Sequence, residues 1–188
     1  MTGSDGLIAK TKEQCHLIEN FRFDSGQVLS SIRINYVTLG TPQYNENSQI
    51  NNAVLLIHGT ASSWRFYTER WWSNCMYGPG QPLDLGHTFV VISDNIGAGG
   101  SSKPSDGLRM AFAHYQHSDV VRAQHDLVTN QLGIQQLHAV IGNSYGGRLS
   151  WQWGMGDSIP RSAQVHDPDD RLPISTRRPS RHAGLSGD

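Results

Sequence analysis

Gly142-Asn143-Ser144-Tyr145-Gly146 is the stretch on which the reading of this chain turns. The residues before it, Leu137-His138-Ala139-Val140-Ile141, read as a short buried strand, and Gly147 to Trp153 can continue as a helix. A serine at such a junction stands on a sharp strand-to-helix turn. The flanking glycines let the strained backbone form and let helix and strand approach closely, leaving the serine hydroxyl exposed. Ser144 is therefore the candidate nucleophile, and what accompanies it elsewhere in the chain decides what it can do.

Working outward, Ala53-Val54-Leu55-Leu56-Ile57 is a continuous apolar run, the mark of a strand covered on both faces. Phe89-Val90-Val91-Ile92 is a second such run and Ala139-Val140-Ile141 a third. Between the last two, Val120, Val121, Leu127, Val128 and Leu132 share one helical face. Ser118 is the expected N-cap, Asp119 suits the first turn, and Gly133 ends the helix. A second helix is expected within Ser63 to Trp72. Strands alternating with helices imply a mainly parallel sheet flanked by helices. Ahead of it, Cys15 to Phe23 and Ser31 to Leu39 alternate around the turn-forming Asp24-Ser25-Gly26, which predicts an antiparallel hairpin. Thr41 to Asn52 is a polar loop.

The 188 residues suit one domain, and a formal net charge of −1 gives no support to a nucleic-acid or anionic-membrane partner. No run approaches the roughly 18 apolar residues of a membrane helix. Met1-Thr2-Gly3-Ser4-Asp5 lacks the start of a secretory signal, so a cytoplasmic location is expected. Cys15 and Cys75 match no metal or redox spacing and are expected as free buried thiols. Residues 1–14 are polar and expected to be flexible, with the domain occupying 15–155. From Gly156 onward the composition changes: five arginines, four prolines, no aromatic residue and no periodicity. Residues 156–188 thus read as a disordered or non-homologous tail, because they offer too little apolar area to offset ordering.

Serine is a poor nucleophile unless a base, an orienting acid and oxyanion donors accompany it. The donors are the part best represented here. One is expected to be the backbone N–H of Tyr145, directly after the serine. The other is expected from His58-Gly59-Thr60-Ala61, after the first buried run, with the Thr60 N–H as the candidate. His58 itself reads as a structural histidine. The catalytic acid and base are not identifiable. His182 follows Ser144 and all of Asp157, Asp167, Asp169 and Asp170, yet no strand pattern would hold these groups in place. Gly97-Ala98-Gly99-Gly100-Ser101-Ser102-Lys103 fits neither phosphate-binding spacing, and Pro104 follows it, so it reads as a tight loop. His114 and His117 have no carboxylate at ligand spacing, and no metal is expected. His125 is expected on the helix among polar neighbours, and Arg148 on the surface.

With these residues in view, the chain resembles the homoserine O-acetyltransferase branch of the α/β-hydrolase superfamily. The resemblance runs from about Phe21 to Trp153. It rests on Tyr36-Val37-Thr38-Leu39-Gly40-Thr41-Pro42, Asn52 to Gly59, Gly78-Pro79-Gly80-Gln81-Pro82-Leu83-Asp84, Ser101 to Leu108, Val121-Arg122-Ala123-Gln124 and the serine turn. Asn143 and Tyr145 depart from the usual Gly-Gly-Ser-Met-Gly-Gly, and His58-Gly59-Thr60 from the usual His-Ala-Leu-Thr-Gly. The resemblance implies the N-terminal half of an α/β-hydrolase fold and serine acyl-transfer chemistry: ester hydrolysis or O-acyl transfer through an acyl-enzyme on Ser144. It implies no cofactor, acyl-CoA as co-substrate for a transferase, and a small-molecule ester, acyl donor or acceptor as partner. The family's lid, acid and histidine come later in the chain, so this chain is expected to be truncated after the elbow and impaired. An inactive fragment or a non-catalytic binding protein is the alternative.

Overall fold

The computed structural model describes residues 11–155. At its centre is a five-stranded sheet in the order β1-β2-β4-β3-β5. Strands β1 (Gln14–Arg22) and β2 (Val28–Leu39) form the expected antiparallel hairpin, and Gly26 in its turn has φ 85°. β2 pairs antiparallel with β4 (Phe89–Ser93). β3 (Ala53–Ile57) lies parallel between β4 and β5 (Ala139–Gly142).

Cover on both faces explains the apolar runs. Ala53, Leu55 and Ile57 of β3 face one core, with Ile34, Val91, Val120, Leu127, Leu149 and Trp153. Val54 and Leu56 face the opposite core, with Val37, Val90, Ile92, Trp64, Tyr67 and Leu83. Helix α1 (Arg70–Met76) lies over the second face, and α2 (His117–Asp126) and α3 (Tyr145–Met155) cover the first. The loops that leave β3, β4 and β5 at their carboxyl ends therefore meet on one side of the sheet, where ligands of open parallel sheets bind.

Several local expectations are corrected. The single helix expected within Ser63 to Trp72 is two pieces: Ser63 caps a 3-10 segment, Trp64–Thr68, and extended Glu69 (φ −60°, ψ 148°) breaks it before α1. The cap of α2 is Gln116, not Ser118. The Gln116 N–H donates to Asp119 Oδ2 at 2.9 Å, while the Ser118 hydroxyl is drawn away to the Asp24 carboxylate. Asp119 does occupy the first turn. After α2 the backbone loosens into π-type turns, Leu127–Gln131, and Gly133 at φ 66° follows. His125 is not among polar neighbours only; its ring lies 5.9 Å from that of Trp153. Cys15 and Cys75 are free but exposed, Cys15 because alternate residues of β1 face outward.

Within the N-terminus expected to be flexible, Gln14 already pairs with Tyr36 in β1. Residues 1–10 and the 156–188 tail lie outside the described residues. Among the described residues, no helix is long and apolar enough to cross a membrane.

Candidate active site

Ser144 sits at φ 51°, in the left-handed region that a non-glycine residue adopts only under constraint, and the residue is exposed. The constraint comes from the crossing of α3 over β3. A Cβ on Gly146 would stand 2.0 Å from the Ile57 carbonyl oxygen, and one on Gly142 would stand 2.1 Å from the Gly146 oxygen. Only glycines allow this approach. The turn is closed by Gly146 N–H to Asn143 O (2.8 Å) and Gly147 N–H to Ser144 O (3.0 Å). Among the described residues the Tyr145 N–H has no hydrogen-bond partner. It opens an 11-residue helix, whose N-terminus carries a partial positive charge.

The loop after β3 passes beside the serine: a Cβ on Gly59 would lie 3.4 Å from Ser144 Cβ. Thr60 is exposed, and among the described residues its N–H is likewise unpaired. Thr60 and Tyr145 line one cleft of about 400 Å³, together with Asn95, Gly97, Tyr115 and His117. A larger hollow of about 540 Å³ adjoins it at Tyr115, walled by Met110, Phe112 and Arg109; Ser144 lines neither cavity and stands beside the first, next to Tyr145.

His58, read as structural, is wholly buried under this loop. Its Nδ1 lies 2.7 Å from the Gly59 oxygen, and its Nε2 accepts the Asn95 N–H at 3.1 Å. Burial holds the imidazole below its ordinary range, against the opposing pull of the Gly59 carbonyl and the Asp94 charge. Asp94 is a site residue that the sequence reading missed. Its Oδ1 accepts the Trp64 N–H (2.6 Å), and its Oδ2 accepts the Gly100 N–H and Asn35 Nδ2 (both 2.8 Å). The signal was an acid directly after the last residue of β4, Ser93. Residues Gly97 to Lys103 form a tight loop closed over that carboxylate, and the Lys103 ammonium bonds Gly99 O and Asp106.

Arg148 is exposed, as expected for a surface residue. His117 lies in the cleft with its ring 5.2 Å from Tyr145, whereas His114 is exposed in the adjoining hollow. No cluster able to hold a metal ion occurs among the described residues. The structure thus brings Ser144, Thr60 and Tyr145 together. Between Tyr145 and Met155 there is no Asp, Glu or His. His182 and the carboxylates Asp157, Asp167, Asp169 and Asp170 lie outside the described residues.

Comparison with known proteins identifies the family of the fold. Residues 52–157 match the family model described as the alpha/beta hydrolase fold. The chain is 36% identical over 150 residues to a homoserine O-succinyltransferase of Magnetococcus marinus, covering 71% of this chain and 36% of that protein. It is 32% identical over 155 residues to a homoserine O-acetyltransferase of Methanohalophilus mahii, covering 74% of this chain and 31% of that one. Among solved structures, an acetylester hydrolase from Corynebacterium glutamicum superposes with a TM-score of 0.66 at 25% identity, over 81% of this chain and 42% of the other. The chain spans only 31% to 42% of the length of these three proteins.

Proposed function

We propose that this chain, which belongs to the α/β-hydrolase fold family, carries an acyl group as an ester on Ser144 and passes it to water or to the hydroxyl of a small molecule. The observation that carries this reading is the exposed, left-handed Ser144 beside two N–H groups, those of Thr60 and Tyr145, that are unpaired among the described residues. Attack of Ser144 Oγ on an ester or thioester carbonyl, with the hydroxyl proton passing to a base such as added imidazole, creates a tetrahedral oxyanion. Two fixed donors and a helix N-terminus stabilise that charge without reorganising. Collapse of the intermediate expels the alcohol or thiol, which takes up that proton from the protonated base, and an incoming hydroxyl then reverses the sequence.

The likeness to proteins named homoserine O-acyltransferases favours an amino-acid hydroxyl as acceptor and acyl-CoA as donor. The likeness to an acetylester hydrolase supports hydrolysis as the second reading. Neither route needs a resident cofactor, and both fit a cytoplasmic enzyme of small molecules. Residues 145–155 supply neither the acid nor the histidine that serine acyl transfer uses, so we place the unaided rate low.

A base supplied from solution tests this. Ser144 is open to solvent, so imidazole can reach its hydroxyl. Cleavage of p-nitrophenyl acetate should rise with imidazole in the wild-type chain well above the same mixture with Ser144→Ala. Equal rates for the two proteins at every imidazole concentration would refute the reading. Replacing the ester with acetyl-CoA or succinyl-CoA, with and without homoserine, then separates transfer from hydrolysis.

A further inference from the structure

The polar groups buried behind the cleft form one continuous chain that reaches both donor-bearing segments. It begins in a single peptide unit. The Gly59 carbonyl and the Thr60 N–H belong to the same trans peptide, so they point in opposite directions. His58 Nδ1 stands 2.7 Å from that carbonyl oxygen. Because Nε2 accepts the Asn95 N–H at 3.1 Å, the neutral ring carries its proton on Nδ1 and donates it to Gly59 O. Asp94 Oδ1 is 3.6 Å from Nε2, too far to bond, and is already taken by the Trp64 N–H. Holding the carbonyl inward turns the Thr60 N–H outward.

The side chain of Asn95 continues the run. Its Nδ2 donates to the His58 carbonyl at 3.0 Å, with a longer contact of 3.4 Å to Nδ1. Its Oδ1 accepts Gln124 Nε2 at 2.9 Å, and Gln124 Oε1 accepts Trp153 Nε1 at 3.0 Å. Trp153 stands on α3, the helix whose first residue is Tyr145. None of the four side chains belongs to a residue more than 2% exposed. Buried chains of this kind are rigid when every member is satisfied, and costly when one is removed.

We infer that His58, Asn95, Gln124 and Trp153 are positioning residues, which hold the 59–60 peptide so that the Thr60 N–H faces the oxyanion formed at Ser144. The inference rests on the reading of Ser144 as the nucleophile, but part of it can be checked without any activity. Nitrogen-15 NMR of the whole chain should show His58 neutral, protonated at Nδ1, with a ring proton slow to exchange. A ring protonated at Nε2, or exchanging freely, would overturn the inference whatever the chain catalyses.

The second arm separates aiming from packing. In His58→Asn the amide nitrogen can stand where Nδ1 stood and still donate to Gly59 O. In His58→Gln the amide reaches the Nε2 position and leaves that carbonyl free. Imidazole-assisted acetylation of Ser144 should stay within a few-fold of wild type in His58→Asn and fall about a hundredfold in His58→Gln, with KM little changed, as on losing one oxyanion donor. Equal rates in the two variants, both folded, would reject the positioning role while leaving the nucleophile intact. If wild type shows no Ser144-dependent acetylation, the functional reading fails instead, and the ring-proton measurement alone decides the geometry. The same measurement decides if either variant does not fold.

Discussion

β3 and β5 are parallel neighbours with nearly the same composition, Ala53-Val54-Leu55-Leu56-Ile57 against Ala139-Val140-Ile141-Gly142, yet they end in different states. Every residue of β3 is buried and every residue of β5 only half-buried. β3 is paired on both sides, whereas among the described residues β5 is paired on one. Neighbours, not composition, set burial here. The difference carries into the site. The loop that β3 delivers is wired through His58 and Asn95 to two helices, while the turn that β5 delivers keeps Asn143 Oδ1 buried without a partner among the described residues. One half of the candidate oxyanion site is firmly held, and the other leans on the crossing of α3 over β3.

Substitutions in the two strands, and in the helix that crosses β3, can break that contrast. Leu55→Ala, in the doubly covered strand, should cost about 4 kcal/mol in urea unfolding, since it opens a cavity with no route to water. Gly146→Ala drives a methyl group into the Ile57 carbonyl and should cost about 2–3 kcal/mol. Val140→Ala, on the half-covered strand, should cost only about 1 kcal/mol. Equal losses for Leu55 and Val140 would mean that β5 is covered as fully as β3.

A smaller effect should appear with pH. Burial lowers the pKa of His58 behind the β3 loop and of His125 against Trp153; nearby Asp94 and Asp126 oppose it less strongly. The folded state therefore keeps both rings neutral where the unfolded chain takes up protons, below the ordinary value of about 6.5. Since the unfolded state then binds more protons, these two groups withdraw stability as pH falls through about 6.5 and leave it unchanged above. Urea midpoints at about pH 7.5 and about pH 5.5 check this, and His58→Asn should shed part of the acid loss.

What was legible in the sequence follows the same contrast. β3 and β4 could be read because cover on both faces leaves an unbroken apolar run. The elbow could be read because Gly142 and Gly146 have no substitute at a helix–strand crossing this close. The α2 cap could not: the better capper, Ser118, is held by Asp24, 94 residues earlier in the chain, and leaves the role to Gln116. Nor could the run from His58 to Trp153. Asn95 and Gln124 look like surface residues until the fold brings together groups 29 and 37 positions apart. Polar residues in a core show no periodicity that marks them.

Ser144 stands beside two candidate oxyanion donors, and residues 145–155 supply it with neither a base nor an orienting acid. Labelling with a serine-directed phosphonate, mapped by peptide mass spectrometry, tests it most directly. Expected are faint labelling of the wild-type chain alone, labelling that grows with added imidazole, a single modified residue at Ser144, and none in Ser144→Ala. Stoichiometric labelling of Ser144 without imidazole would show that a base is already in place. Labelling that imidazole does not raise, or that falls on another residue, would contradict the site itself.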